Sequence, residues 1–202
     1  MSKLIHEMIN VHRPGNENYN IRAISPGIGS HQDKFKKGFD HTLKEIVGDE
    51  PITSFASLVI FMEDYKDGLS YHHGENLAKH LTIMISHLYD ESLCIYSLSI
   101  EDIYVVNNGK FIFLNHRHCQ MITPAGYVVI QPGTHGTYSA PEFKELKTID
   151  RAACNWCIGA LLMNLLFNNT TASLDPIKYT SLYYFIKRCL DNNVELREVL
   201  FM

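Results

Sequence analysis

The stretch from Ala152 to Phe167 limits the fold of this chain more than any other: Ala-Ala-Cys-Asn-Trp-Cys-Ile-Gly-Ala-Leu-Leu-Met-Asn-Leu-Leu-Phe. As a helix it is apolar nearly all the way round, so it needs cover on every side. A bilayer could give that cover, but a membrane span takes about 20 residues. This stretch is shorter and carries Asn155 and Asn164. It reads as a buried core helix, and the rest of the chain must wrap it. With 202 residues and 46% hydrophobic composition, the chain can build one such core but not two full-sized domains.

The remaining pattern supplies the wrapping. Phe35, Phe39, Leu43 and Ile46 share one face of a helix predicted from Lys34 to Val47, with Gly38 inside it and Gly48 to Pro51 ending it. Ser57 to Met62 is an apolar run of strand length. Leu77, Leu81, Met84 and Leu88 predict a long helix beginning near Glu75. Ile103 to Val106 and Phe111 to Leu114 flank Asn107-Asn108-Gly109, which predicts a hairpin. Tyr127 to Ile130 reads as a further strand, and Asp150 as the cap of the apolar helix. A closing helix is predicted from Tyr179 to Leu190, with Leu182, Phe185, Ile186 and Cys189 inward and Tyr183 or Tyr184 exposed.

Charge narrows the partners. The net charge is -4, and the only basic cluster is Lys34, Lys36 and Lys37, so no nucleic-acid footprint is expected. The five cysteines and a start without an apolar h-region predict reduced thiols and a cytoplasmic or nuclear location. Cys154-x-x-Cys157 has no second pair at zinc spacing, and in an apolar helix cysteine behaves as a small hydrophobe. His72-His73 and His116-Arg117-His118 are read as solvated or locally bonded, not as metal ligands. Ser97 lacks the G-x-S-x-G setting of a hydrolase nucleophile. No metal and no cofactor is expected.

Three ordered segments carry a resemblance. Tyr138-Ser139-Ala140-Pro141-Glu142 has the form YxAPE. Cys154-Asn155-Trp156-Cys157-Ile158-Gly159-Ala160-Leu161-Leu162 is close to DxWSLGxxL. Cys189 to Arg197 is close to CLxxDPxxR. These segments resemble the activation-segment end, central helix and closing segment of protein kinases, over about residues 57 to 202. The resemblance implies a pair between Glu142 and Arg197, with Trp156 and Gly159 as further scaffold positions. An unpaired buried charge is expensive, which is why such a pair would persist.

The catalytic positions implied by the same resemblance do not carry the family's residues. Ile95 to Ile103 aligns with H-R-D-L-K-P-E-N-I. Ser97 then stands for the catalytic Asp, Ser99 for the phosphate-steadying Lys, and Asp102 for the metal-binding Asn. A hydroxyl cannot take and hold a proton as a carboxylate does. Asn115-His116-Arg117 stands at the DFG position, so Asn115 replaces the Asp that grips magnesium. Cys154 replaces an Asp that braces the catalytic loop. No Gly-rich phosphate loop is present, Gly27-Ile28-Gly29 being a fragment, and Ser25 falls at the nucleotide-Lys position with Glu45 as the usual partner of that Lys.

The expectation is an α+β, mostly α, protein kinase-like fold. A reduced N-lobe-like segment (1–62) precedes a helical C-lobe-like domain (63–202), with a hinge near Glu63 to Tyr65. The resemblance implies a catalytically inactive pseudokinase without ATP binding. It would modulate or scaffold a protein partner, such as an active kinase or a kinase substrate, with no nucleic acid and no membrane. Two alternatives stand beside it: a KIND-type peptide-binding module, and an unorthodox nucleotide-binding enzyme in which Asp102 and Asn115 hold a cation.

Overall fold

The computed structural model describes residues 9–12, 20–23, 30–129, 136–144, 148–169 and 172–197. In order these form β1 (Ile9–His12), β2 (Asn20–Ala23), α1 (Ser30–Ile46), β3 (Phe55–Ser57), α2 (Leu58–Met62), α3 (Tyr71–Asp90) and β4 (Leu93–Ile95). There follow β5 (Ile103–Val106), β6 (Lys110–Phe113), β7 (Cys119–Met121), β8 (Tyr127–Val129), β9 (Thr148–Asp150), α4 (Asn155–Phe167) and α5 (Ser181–Cys189), with short 3-10 turns between them. The architecture is α+β. Helices carry most of the core, and the sheets are small and antiparallel: β1-β2, β3-β5-β6, β4-β7 and β8-β9.

The apolar helix is where the sequence places it. Asp150 Oδ1 accepts the Ala152 N–H at 2.8 Å, a 3-10 turn follows, and α4 runs on to Asn168, which ends it in the left-handed region. Its side chains from Cys157 to Met163 are buried on all faces, covered by α3 and α5. At Gly159 an added Cβ would meet Cys189 Cβ at 2.7 Å, so glycine sets how closely α5 approaches.

α3 begins at Tyr71 rather than near Glu75, because the Ser70 hydroxyl accepts the His73 N–H and caps the helix a turn earlier. Leu77, Leu81, Met84 and Leu88 are buried along it, as their spacing requires. α1 packs on α3, and its Phe35 and Phe39 are buried in the same core. Gly38 costs an isolated helix about 1 kcal/mol relative to alanine, but here an added Cβ would sit 2.9 Å from Leu88 Cδ2 and 3.2 Å from the His87 carbonyl. Glu45, expected opposite the Ser25 position, pairs with His87 of α3 at 2.7 Å.

The run from Ser57 to Met62 is the clearest departure. Only Phe55–Ser57 is strand, paired with β5 in the register Phe55 to Val106. The Ser57 hydroxyl then accepts the Ile60 N–H and turns Leu58–Met62 into a short helix. The hinge expected at Glu63 to Tyr65 is the turn that ends this helix. The hairpin forms as predicted, with Asn107 and Asn108 both at positive φ, the twist that a tight hairpin needs. The closing helix starts at Ser181, capped by Thr180, and buries Phe185 while leaving Tyr184 exposed. Among the described residues, no helix is long and apolar enough to cross a membrane.

Candidate functional site

The hairpin and a short strand pair bring the sequence-predicted site residues together. β4 pairs with β7, and the Tyr96 N–H continues that ladder by donating to the His118 carbonyl at 3.0 Å. The chain therefore leaves β4 as the loop carrying Ser97, Ser99 and Asp102. It passes through β5 and β6 and returns beside its own start with Asn115 and His118. The turn at Gly136 closes over this loop. Tyr96, Ser97, Ser99, His118, Gly136 and Thr137 line a cavity of about 340 Å³.

Ser97 is 2% exposed. An added Cβ at Gly136 would overlap the Ser97 hydroxyl outright, so the turn rests directly on this side chain. The Gly136 N–H is held by the Ser139 hydroxyl at 2.8 Å. Tyr138, next in the turn, is anchored from below: Asn164 of α4 donates its amide to the Tyr138 hydroxyl at 3.0 Å. One of the two asparagines in the apolar helix thus serves the loop above it. Ser99 caps the 3-10 turn that follows it by accepting the Glu101 N–H.

Asp102 and Asn115 are in direct contact. The Asn115 amide donates to Asp102 Oδ1 at 2.8 Å, and Asn115 Oδ1 accepts the Arg117 N–H at 3.0 Å. His118 Nδ1 lies 3.0 Å from Asp102 Oδ2. Burial and the neighbouring carboxylate raise the pKa of the Tyr104 phenol, and both also hold the Cys119 thiol protonated. Burial, with His31 and Arg117 nearby, lowers His116 to about 4, which keeps its ring neutral. Among the described residues no group of three His, Cys, Asp or Glu side chains is placed to hold a metal ion. Ser25 lies outside the described residues.

The scaffold positions converge at the other end of the 136–142 segment. Arg197 Nη2 donates to Glu142 Oε1 at 2.6 Å, its Nε donates to the Asp191 carbonyl at 2.7 Å, and its guanidinium lies 4.7 Å over the Trp156 ring. Asn155, the second asparagine of the apolar stretch, donates to the Arg197 carbonyl. Glu142, Trp156 and Arg197 form one cluster, and Gly159 sits one turn further along α4.

The cysteines differ from expectation. Cys94 of β4 and Cys154 are joined as a disulfide, whereas five reduced thiols were expected. These positions pack together because β4 abuts the turn that starts α4. Cys154, at the position expected to have lost its brace, is therefore still tied to the segment leading into the Ser97 loop. Cys119, Cys157 and Cys189 are free and buried. Burial pushes the Cys157 thiol up to about 12, so it packs as a small hydrophobe, while Cys154 is bonded to Cys94 and not to Cys157.

Sequence reasoning passed over His118 and the contact of Gly136 with Ser97. His118 was visible only as part of a histidine-rich loop. The glycine contact leaves no sequence signal, because its two partners lie far apart in the chain. No protein-family model matches the chain, and no curated protein matches it with significant similarity.

Proposed function

We propose that this chain is a catalytically inactive, protein kinase-like protein that acts through protein–protein interaction, modulating or scaffolding a partner that is itself a kinase or a kinase substrate. The observation that carries this reading is the state of Ser97. A phosphoryl-transfer site needs an open carboxylate to receive the substrate proton. Ser97 is neutral, 2% exposed and covered by the Gly136 backbone.

Two further features support the same reading. Asp102 and Asn115, the positions that would share a cation, are bonded to each other. The cluster of Glu142, Arg197 and Trp156, which does no chemistry, is intact. A protein that keeps its scaffold and loses its charged reaction centre can present surfaces but has almost no means of stabilising a transferring phosphoryl group. The partner class rests on the kinase resemblance.

A thermal-shift titration tests the inactive reading. ATP with magnesium is expected to leave the melting temperature unchanged, whereas a metal-dependent rise would overturn it, since a ligand stabilises the state it binds. Binding assays against a panel of active kinases and kinase substrates test the partner class, and retention of none would remove it.

A further inference from the structure

Asp102 stands where the hairpin begins and Asn115 where it ends. The backbone already closes there, with the Leu114 N–H donating to the Asp102 carbonyl at 2.9 Å. Asp102 is 8% exposed, and a buried carboxylate left alone is costly. A cation could relieve that cost, and so could enough polar partners on its two oxygens. Here one oxygen is bonded and the other lies against an imidazole nitrogen. Asn115 Nδ2 donates to Oδ1 at 2.8 Å, and the amide cannot be turned round, because its oxygen accepts the Arg117 N–H. His118 Nδ1 sits 3.0 Å from Oδ2. The contact lies off the line of a hydrogen bond, and neither atom has a hydrogen-bond partner among the described residues.

We propose that Asp102, Asn115 and His118 form a cation-independent clasp. The amide bonds one carboxylate oxygen, and the imidazole stands against the other where a divalent ion would otherwise approach. The clasp joins the two ends of the β5–β6 hairpin and fixes the base of the loop bearing Ser97 and Ser99, so that loop is ordered without any ligand. The proposal deepens the inactive reading but stands on these contacts alone.

One substitution exposes the difference. Asn115→Asp places a second carboxylate against Asp102 at about 3 Å, and paired carboxylates repel unless a hard cation such as Mg²⁺ or Mn²⁺ lies between them. The melting temperature of the unaltered chain is expected to be the same in EDTA, in excess MgCl₂ and in excess MnCl₂. That of Asn115→Asp is expected to fall by about 3 °C or more in EDTA, and either salt should restore at least half of the loss. The reversed pair, Asp102→Asn with Asn115→Asp, restores one carboxylate facing one amide. It should recover most of the loss in EDTA, including foldedness if the single variant does not fold.

A divalent-dependent rise in the unaltered chain would overturn the clasp, as would an Asn115→Asp variant that melts like the parent in EDTA or ignores both salts. A reversed pair no more stable than the single variant would do the same. No nucleotide enters this experiment. A failed clasp is therefore distinguishable from a failed inactive reading, which an ATP-dependent shift alone would overturn.

Discussion

Replacing Arg197 by alanine measures what breaking the scaffold cluster from one side costs. The side chain is 1% exposed, and Glu142 is mostly buried beside it. Truncation removes the 2.6 Å bond to Glu142, the 2.7 Å bond to the Asp191 carbonyl and the stacking on Trp156. The larger cost is what stays behind, a carboxylate in a poorly hydrated site without its cation. Breaking a buried pair from one side costs about 3–5 kcal/mol, and urea unfolding of Arg197→Ala should show a loss in that range with an unchanged denaturant slope. The pair itself is worth less than that figure. Arg197 Nη1 and Glu142 Oε2 have no hydrogen-bond partner among the described residues, so part of the desolvation is not repaid. Neutralising both ends tests this directly. Arg197→Met with Glu142→Gln should cost clearly less than the sum of the two single changes, leaving a coupling of about 1–3 kcal/mol. A loss below about 1 kcal/mol for Arg197→Ala, or full additivity in the cycle, would refute the reasoning.

Other expectations follow from the same kind of contact. His80 is lowered to about 4, chiefly by burial, and its Nδ1 accepts the Phe111 N–H at 3.1 Å, so the folded state needs the neutral ring. The unfolded chain takes up that proton below about pH 6.5 while the folded one does not. Stability is therefore present above that pH and falls as pH drops towards 4, by about 2 kcal/mol between pH 7 and pH 5 from this group. His116 adds in the same direction. Urea melts across this range should show the fall, and His80→Asn, which keeps an acceptor without the titration, should flatten it; an unchanged slope would refute it. Gly136→Ala should cost about 1–2 kcal/mol through overlap with the Ser97 hydroxyl. Adding Ser97→Ala should return most of it, and equal losses in the single and double variants would show that the turn does not rest on Ser97.

Much of the fold was legible because it repeats. The buried faces of α1, α3 and α5 follow from apolar residues three and four apart, and the hairpin follows from Asn-Asn-Gly between two apolar runs. Hydrophobic spacing places elements but misses where they start. Ser70 lengthened α3, and Ser57 turned a strand-like run into α2, each through one hydroxyl. Contacts between residues distant in sequence were less visible still. Nothing in the pattern pairs Cys94 with Cys154, sets Gly136 on Ser97 or brings His118 to Asp102.

The scaffold and the candidate site differ in legibility for a physical reason. Glu142, Trp156 and Arg197 signal through what they are, since a buried charge pair under an aromatic ring tolerates few other residue types. Ser97 and Asn115 are small neutral residues whose types specify no partner. Their roles are set by contacts with chain distant in sequence, Gly136 lying on Ser97 and Asn115 bonding Asp102. Such contacts cannot be read from residue type or spacing, and they appear only where the side chains meet.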